Sequence, residues 1–389
     1  MNLRYVICSE IIDVRDGTHD SPKYIIDGGY PLITSKNINN NKIDFSNVNY
    51  ISEEDYIKIN QRSEVSNGDI IMPMIGTIGN PVIIDTDKKF AIKNVALFKL
   101  ANNETILSKY FYYILKTQDI KRQLESNKRG GTQNFVSLKN IRDLKIPLID
   151  VLEQKKIVEI LDKAQQLIDK RKKQIESLDE LVKSQFIEMF GNLKEEEKLP
   201  LEKCTTFIDY RGKTPTLSDS GIRIINAKSV GNGFFKYIDE YISEETYDSW
   251  MKRGFPVSGD VLFVTEGHTF GNVCRIPNDL KKFAMGQRVI TMQGKGRLLN
   301  NVFLAQYMQS MAFKIDIDKY KTGSSAQGIR SKELQKILIP IPNIELQNKF
   351  ADFVKQVDKL KFEMEKSLKE LEDNFNSLMQ KSFKEELFN

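Results

Sequence analysis

The chain has 389 residues, of which 40% are hydrophobic and 29% are charged, and its formal net charge is +5. This length predicts two or three domains, each large enough to bury its own core. No apolar run approaches the roughly 20 residues that cross a membrane, and the N-terminal MNLRYVICSEIIDV lacks the apolar core of a secretory leader. We therefore expect a cytoplasmic protein with no membrane partner.

Residues 1–150 form the first predicted globular unit. Short β-type runs at 70–72, 82–84 and 95–98 alternate with Gly and Asn turns. A helix is predicted after them, from Ser108 to Leu124. This pattern indicates a mixed, strand-rich α/β domain.

A long helix is predicted from Val151 to Phe190, because this stretch lacks Pro and Gly and is rich in Glu, Lys, Leu and Gln. At about 1.5 Å per residue it would be a rod of roughly 60 Å. Apolar residues recur in steps of four and three, which is typical of a helix packed on one partner helix. Arg171 and Gln185 interrupt a seam that otherwise consists of Ile157, Leu161, Ala164, Ile168, Ile175, Leu178, Val182 and Met189.

The second half of the chain repeats this order. Gly191-Asn192 ends the first long helix, so we assign 151–192 to a spacer helix and 197–342 to a second globular unit. That unit has β-type runs at 261–264 and 289–292, and a predicted helix from Val302 to Ile317. Residues 343–389 are a second spacer helix, predicted from Asn343 to Phe388. Its seam is Phe350, Val354, Val357, Met364, Leu368, Leu371, Phe375 and Leu378, with Lys361 as an interruption.

Matching motifs show that the chain is a tandem duplication. An Ile-Pro pair precedes Gln154 and again Gln347, 193 residues later, and the two helical seams share this spacing. Gly68-Asp69 matches Gly259-Asp260 at an offset of 191. The predicted fold class is α+β, with two mixed α/β domains in tandem and two long helices that form an antiparallel coiled coil.

The polar loops between these shared motifs differ. Residues 16–22 differ from 212–217, and 128–135 differ from 321–328. A common scaffold with different loops predicts two related but different ligands. The loops offer side chains that pair with base edges and phosphates, although the same residues are also common in ordinary turns. The long helices together carry a net charge of −2, so the remaining parts carry +7, which is compatible with a polyanion.

The sequence shows no established catalytic pattern. Residues 211–214, Arg-Gly-Lys-Thr, look like the end of a phosphate-binding loop, but the pattern requires a glycine where this chain has Phe207. His19 and His268 lack metal-site spacing, and the three cysteines form no CxxC pair. We therefore expect no metal site and no catalysis by this chain alone.

The paired motifs resemble the specificity subunit of a Type I restriction-modification system. The resemblance rests on the duplicated domain, the Gly-Asp strands, the Ile-Pro-to-Gln passages (Gly130 to Gln154 and Gly323 to Gln347) and the long helix that closes each repeat. It implies two target-recognition domains that each read one half of a bipartite, asymmetric site in double-stranded DNA. The paired helices would set the gap between the half-sites and dock two methyltransferase subunits, which restriction subunits join.

The same resemblance implies that the chain is not an enzyme but the specificity subunit of a DNA adenine-N6 methyltransferase and restriction endonuclease complex. The absence of an Asn/Asp-Pro-Pro-Tyr/Phe motif fits a separate methyltransferase. S-adenosylmethionine, ATP and Mg are expected in the partner subunits, and no cofactor is expected in this chain.

DNA contacts are expected, from the resemblance, in the loops of both units. We hypothesise that Gln133→Ala and Gln327→Ala each alter binding at one half-site. The expected contacts of the first unit are Arg15, Thr18, His19, Lys36, Asn37, Lys128, Arg129, Thr132, Gln133 and Asn134. Those of the second are Arg211, Lys213, Thr214, Lys228, Ser229, His268, Lys321, Ser324, Ser325, Gln327 and Arg330.

Three alternatives stay open at the level of sequence. A stand-alone DNA-binding regulator would hold DNA tightly without partners. A structural coiled-coil adaptor would not bind random duplexes at low salt. A nuclease with a hidden metal site would cut DNA by itself in the presence of magnesium.

Overall fold

The computed structural model describes residues 3–26, 28–39, 41–76, 78–126, 135–193, 196–212, 214–323 and 327–384. The chain divides into two compact units. The first unit is formed by Met1–Lys172 and Lys366–Asn389, and the second unit by Lys173–Glu365. Each unit therefore contains one copy of the sequence repeat together with about half of each long helix.

In its described residues, the first unit combines short strands with five short α-helices. The helices are α1 (Cys8–Ile11), α2 (Glu53–Ser63), α3 (Ser108–Leu115), α4 (Gln118–Ser126) and α5 (Leu138–Arg142). The strands are β1 (Arg4–Ile7), β2 (Asp13–Asp16), β3 (Tyr24–Ile25), β4 (Tyr30–Ile33), β5 (Ile38–Asn39), β6 (Lys42–Ile43), β7 (Asn49–Ile51), β8 (Ile70–Pro73), β9 (Val82–Ile83), β10 (Ala91–Ile92), β11 (Val95–Lys99) and β12 (Lys145–Leu148).

The central sheet of the first unit is antiparallel, in the order β2-β11-β8-β9, and both of its faces are buried. Ile70, Met72 and Phe98 point to the face covered by α3, whereas Ile71 and Leu97 point to a second apolar cluster on the other face. Because successive strand residues alternate between faces, two buried faces require the continuous apolar runs seen in this sequence. A smaller sheet has the order β10-β4-β7-β3, and β1 pairs with β12 and β5 with β6.

The second unit repeats this plan. Its central sheet has the order β14-β20-β17-β18, with Val261 and Phe263 on one face and Leu262 and Val264 on the other. A smaller sheet has the order β16-β15-β19, and β13 pairs with β21. The strands are β13 (Lys198–Pro200), β14 (Thr205–Asp209), β15 (Ile222–Ile225), β16 (Tyr241–Ile242), β17 (Val261–Val264), β18 (Val273–Arg275), β19 (Ala284–Met285), β20 (Val289–Gly294) and β21 (Leu338–Pro340). The short helices are α7 (Leu201–Cys204), α8 (Glu244–Trp250), α9 (Asn301–Met308), α10 (Met311–Asp318) and α11 (Ser331–Lys336).

Two of the helices predicted from the sequence are each divided in two. The predicted helix from Ser108 to Leu124 consists of α3 and α4, and that from Val302 to Ile317 consists of α9 and α10. In both places a hydroxyl accepts a backbone N–H, from Ile120 to Thr117 Oγ1 at 3.3 Å and from Phe313 to Ser310 Oγ at 3.3 Å. Thr117 and Ser310 thus start a new helix, because short polar side chains compete with the helical backbone bonds.

The long helices are α6 (Val151–Phe190) and α12 (Ile344–Ser382). The bounds of α6 agree with the prediction, but α12 ends before the predicted Phe388. Phe383 and Lys384 form a turn, and 385–389 lie outside the described residues.

Within each unit the two long helices pack antiparallel. In the first unit, Ile157 and Leu161 near the start of α6 share a core with Met379 near the end of α12. In the second unit, Phe186 near the end of α6 packs on Phe350 near the start of α12, with ring centroids 5.4 Å apart. The predicted seam residues of both helices are all buried or half-buried. Fully burying one such side chain is worth about 1.5–3 kcal/mol, so this seam is a major source of stability.

A buried glutamine ties each long helix to its globular part. Gln154 Nε2 donates to Thr105 O and Ile149 O, both at 2.9 Å, and its Oε1 accepts from Leu107 N at 2.9 Å. Gln347 makes the matching bonds, with Nε2 donating to Leu298 O and Pro342 O and Oε1 accepting from Asn300 N. Each partner lies 193 residues after its counterpart. We call these two groups of hydrogen bonds the glutamine joints.

Candidate functional site

One edge of the central sheet gathers the candidate residues of the second unit. Asp209 at the end of β14 pairs with Ile290, and Val264 at the end of β17 pairs with Val289, so both strands end where β20 begins. The residues that follow these strands, 210–212 and 265–272, and those that precede β20, 286–288, therefore meet at this edge. A fourth loop joins them, because Gly267 N donates to Gln327 O at 3.0 Å.

The first unit has the equivalent edge. Asp16 at the end of β2 pairs with Ala96, and Pro73 at the end of β8 pairs with Val95. The smaller sheet reaches the same place, because Thr18 forms a β-bridge with Lys93. We call these two places the reading edges of the first and second unit.

Each unit has an Asp-Arg ion pair on the edge strand of its central sheet, but the two pairs lie at different positions. Asp13 is at the start of β2, opposite Lys99, whereas Asp209 is at the end of β14, opposite Ile290. In the first unit Arg15 donates to Asp13 Oδ2 from Nε at 2.8 Å and from Nη2 at 2.6 Å. In the second, Arg211 donates from Nε to Asp209 Oδ1 at 2.9 Å and from Nη2 to Oδ2 at 2.7 Å. Burial raises the pKa of Asp209, but the hydrogen bonds and charge of Arg211 outweigh it and lower this pKa overall. The carboxylates thus hold Arg15, within β2, and Arg211, two residues after the end of β14, in fixed orientations.

A second pair of equivalent arginines, Arg62 and Arg253, was not among the residues predicted from the sequence. Arg62, in the last turn of α2, has its carbonyl oxygen 3.1 Å from Arg15 Nη1. Arg253, after α8, donates from Nη1 to the carbonyl oxygens of Asp209 at 3.2 Å and Arg211 at 3.1 Å. The available signal was the motif Tyr-Ile-Ser-Glu-Glu, which occurs at residues 50–54 and again at 241–245, because each arginine lies 12 residues after the tyrosine of its motif.

His19 belongs to a polar cluster at the first reading edge. As an imidazolium it donates from Nδ1 to Asn94 Oδ1 and from Nε2 to Asp16 Oδ2, both at 2.9 Å. The bonds to Asn94 and Asp16 raise the pKa of His19. Asp16 is buried and also accepts from Arg62. One carboxylate thus faces two basic side chains.

The turns after β4 and β15 contribute one exposed lysine each. Lys36 and Lys228 are exposed, and Lys228 pairs with Glu240. Asn37 and Ser229 from the same turns are buried. Asn37 Oδ1 accepts from Thr34 N at 3.0 Å, and Ser229 Oγ accepts from Asn226 N at 3.3 Å. Because these two side chains hold their own turns, we retain the lysines as the stronger candidates for DNA contact.

The remaining candidates lie in loops. Thr18 and Lys321 are half-buried, whereas Thr214, His268, Gln327 and Arg330 are exposed. Arg330 lies at the start of α11, and the residue before it, Ile329, donates its backbone N–H to Thr265 O at 2.9 Å. Gln327 and Arg330 therefore belong to the second reading edge. Lys128, Arg129, Thr132, Gln133, Asn134, Lys213, Ser324 and Ser325 lie outside the described residues.

Within the described ranges, no group of three or more His, Cys, Asp and Glu side chains is arranged to hold a metal ion. Over the same ranges, no helix is long and apolar enough to cross a membrane.

The long helices also expose apolar side chains outside their shared seam. In a monomeric protein such residues are ordinarily scattered singly, and clusters of them mark surfaces for partners. These side chains are Leu152 and Leu167 in the first unit, and Leu181, Ile187, Leu360 and Phe362 in the second.

Comparison with known proteins agrees with this arrangement. The family model described as the Type I restriction modification DNA specificity domain matches residues 8–179 and 207–373. The chain therefore belongs to the family of Type I restriction-modification DNA specificity proteins, with two such domains in tandem.

Two relatives in this family match most of the chain. It is 25% identical over 327 residues to the Type I restriction enzyme MjaVIII specificity subunit of Methanocaldococcus jannaschii, which covers 78% of this chain and 76% of that protein. It is 21% identical over 397 residues to the Type I restriction enzyme EcoKI specificity subunit of Escherichia coli, covering 94% and 84%.

Two solved structures share the fold. The Type I restriction-modification S subunit from M. genitalium matches with a TM-score of 0.54, covering 98% of this chain and 96% of that chain. A chain from a study of complex assembly and conformational transition in the type I R-M system matches with a TM-score of 0.61, covering 99% and 98%. Both are 16% identical, so they support the fold alone.

Proposed function

We propose that this chain is the DNA-recognition subunit of a Type I restriction-modification complex, and that each unit contacts one half of a bipartite, asymmetric site in double-stranded DNA. The observation that carries the proposal is the pair of equivalent reading edges. Both have an aspartate at the end of the edge strand, Asp16 or Asp209, and an arginine that contacts it, Arg62 or Arg253, whereas the surrounding polar loops differ. A shared frame with different loops suits two half-sites of different sequence.

The long helices have two roles in this proposal. They set the distance between the two half-sites, and their exposed apolar side chains dock methyltransferase subunits, through which restriction subunits join. Leu181, Ile187, Leu360 and Phe362 of the second unit are candidates for this docking, because a partner that covered them would remove large apolar side chains from water. S-adenosylmethionine, ATP and Mg would be bound by these partners, and the chain itself would contribute recognition rather than catalysis.

The test is to co-express the chain with a Type I methyltransferase subunit and to map N6-methyladenine in the host genome. We expect methylation at one asymmetric motif made of two specified parts separated by a fixed gap. The methyltransferase subunit without this chain is the control and should leave that motif unmodified. A contiguous motif, or the same motif without the chain, would overturn the proposal.

A further inference from the structure

We propose that Arg62 and Arg253 are matched phosphate contacts, one for each half-site, and that Asp16 competes with DNA for Arg62 alone. This inference rests on the proposed function, because it assigns residues to the DNA contact of each unit. It goes beyond that function because it distinguishes the residues that contact the DNA phosphates from those that contact the bases.

Sequence position and backbone contacts place the two arginines equivalently. Each lies 12 residues after the tyrosine of its Tyr-Ile-Ser-Glu-Glu motif and six before the glycine of its Gly-Asp motif, with no insertion between. The backbone of each is tied to the strand that ends at its reading edge. Arg62 O accepts from Arg15 Nη1 at 3.1 Å, and Arg253 N donates to Tyr210 Oη at 2.8 Å.

The side chains of both arginines remain exposed. Arg62 keeps 65% of its side-chain surface in contact with solvent, and Arg253 is exposed as well. The neighbouring arginines Arg15 and Arg211 are half-buried and committed to Asp13 and Asp209. Arg62 and Arg253 are therefore the arginines of these pairs that a ligand can reach.

The chemistry of the guanidinium group favours phosphate as that ligand. Its planar fork donates two parallel hydrogen bonds to a phosphate, and such charge-assisted bonds are stronger than neutral ones. Phosphate contacts fix the position of a protein on DNA without reading sequence, whereas base contacts must differ between different half-sites. A residue that is the same in both units, among loops that differ, has the property expected of a phosphate contact.

The acceptors of the two guanidinium groups differ in charge. Arg62 donates to the buried carboxylate of Asp16, so a phosphate must replace that carboxylate. Asp16 would keep His19 as its partner after the exchange. Arg253 donates to two neutral carbonyl oxygens. Asp209 has the strand register of Asp16, opposite the second residue of β20, but its carboxylate is paired with Arg211. The first unit therefore contains a carboxylate that competes with phosphate for the exposed arginine, whereas in the second unit the equivalent carboxylate is engaged by a different arginine.

The experiment measures binding of the full chain, alone and with the methyltransferase subunit, to two unrelated 30-base-pair duplexes by fluorescence anisotropy at several KCl concentrations. The slope of log affinity against log salt reports the number of phosphate contacts, at about 0.9 per contact. We expect Arg62→Gln and Arg253→Gln each to lower this slope by about 0.9 and to weaken binding about tenfold at low salt. We expect Asp16→Asn to strengthen binding to both duplexes equally.

The control is Arg297→Gln, which removes one charge from an exposed arginine that follows β20, at the opposite end of that strand from the reading edge. It should leave the slope nearly unchanged. Thermal melts establish that each variant folds, and Arg62→Lys and Arg253→Lys should restore the slope because they keep the charge.

The outcomes separate this inference from the proposed function. Wild-type binding with unchanged slopes in Arg62→Gln and Arg253→Gln would overturn the inference and leave the proposed function standing. An equal loss in Arg297→Gln would also overturn it, because net charge alone would then explain the effect. Failure of the wild-type chain to bind either duplex, alone or with its partner, would overturn both.

Discussion

The first and second units share a fold but differ in the side chain that pairs with the buried aspartate of the Gly-Asp motif. Asp69 is fully buried, accepts from Leu100 N at 2.9 Å and pairs with Lys99. Asp260 is buried in the equivalent place, but it accepts from Gln293 Nε2 at 2.8 Å, so an uncharged amide stands where the first unit has an ammonium. The two aspartates thus occupy the same place, but the side chain that donates to them is charged in the first unit and uncharged in the second. At this site the two copies share their geometry and differ in their electrostatics.

The largest expected loss of stability comes from replacing Lys99, the cation that pairs with Asp69 in the first unit. Lys99→Met should destabilise that unit by about 3 kcal/mol, because a buried carboxylate loses its partner. Lys99→Gln copies the second unit and should cost less than half as much, since the amide still donates to Asp69. Hydrogen exchange of peptides from each unit, measured at increasing urea concentrations, gives the free energy of unfolding of that unit for both variants. Equal costs for Met and Gln would show that charge is unimportant at this site.

The glutamine joints test whether the shared frame is equally important in both units. Gln154→Met and Gln347→Met keep the side-chain size but leave two carbonyl oxygens and one N–H without their partner. We expect a loss of about 2 kcal/mol in the affected unit, and the same loss for both variants because the bonds match. Hydrogen exchange resolved by unit provides the measurement. A loss confined to one of the two variants would show that the joints are not equivalent.

A smaller change in stability is expected when a lysine replaces Gln293, the residue of the second unit that matches Lys99. Burial raises the pKa of Asp260. The hydrogen bonds from Val257, Gln293 and Asn301 lower this pKa, but burial outweighs them. A carboxyl whose folded-state pKa is raised binds its proton more tightly when folded. Its stabilising contribution is therefore complete below the unfolded-state pKa of about 3.9 and is lost as pH rises through the raised value.

Gln293→Lys should lower the pKa of Asp260 and remove this loss, which would stabilise the second unit by about 1 kcal/mol at neutral pH. Denaturation midpoints between pH 4 and pH 7 provide the measurement, and Lys295→Gln, at an exposed lysine directly after β20, is the control. An identical pH dependence in Gln293→Lys and wild type would contradict this account.

The sequence predicted the parts of the fold that periodicity and repetition determine. The bounds of α6 followed from an unbroken stretch without Pro or Gly, and the duplication followed from matched motifs. The division at Thr117 and at Ser310 was missed, because one hydroxyl inside an apolar pattern does not change its periodicity. The helices α2 and α8 were missed because they lack a strong apolar face, although Ser52 and Ser243 cap them within the shared motif.

The candidate site was predictable in location more than in residues. Arg15, His19 and Gln327 lie in or beside loops that differ between the repeats, and the structure places them at or beside a reading edge. Arg62 and Arg253 were not predicted, because they belong to a part of the repeat that does not differ. The burial of Asn37 and Ser229 depends on contacts within their turns, which residue type alone does not reveal.

The central claim is that each unit reads its own half of one DNA site. Mapping N6-methyladenine in cells that contain the methyltransferase subunit together with wild type, Gln133→Ala or Gln327→Ala tests it most directly. We predict that each substitution relaxes the specified bases in one half of the motif, a different half for each, and leaves the other half unchanged. Relaxation of both halves by either substitution would contradict the claim.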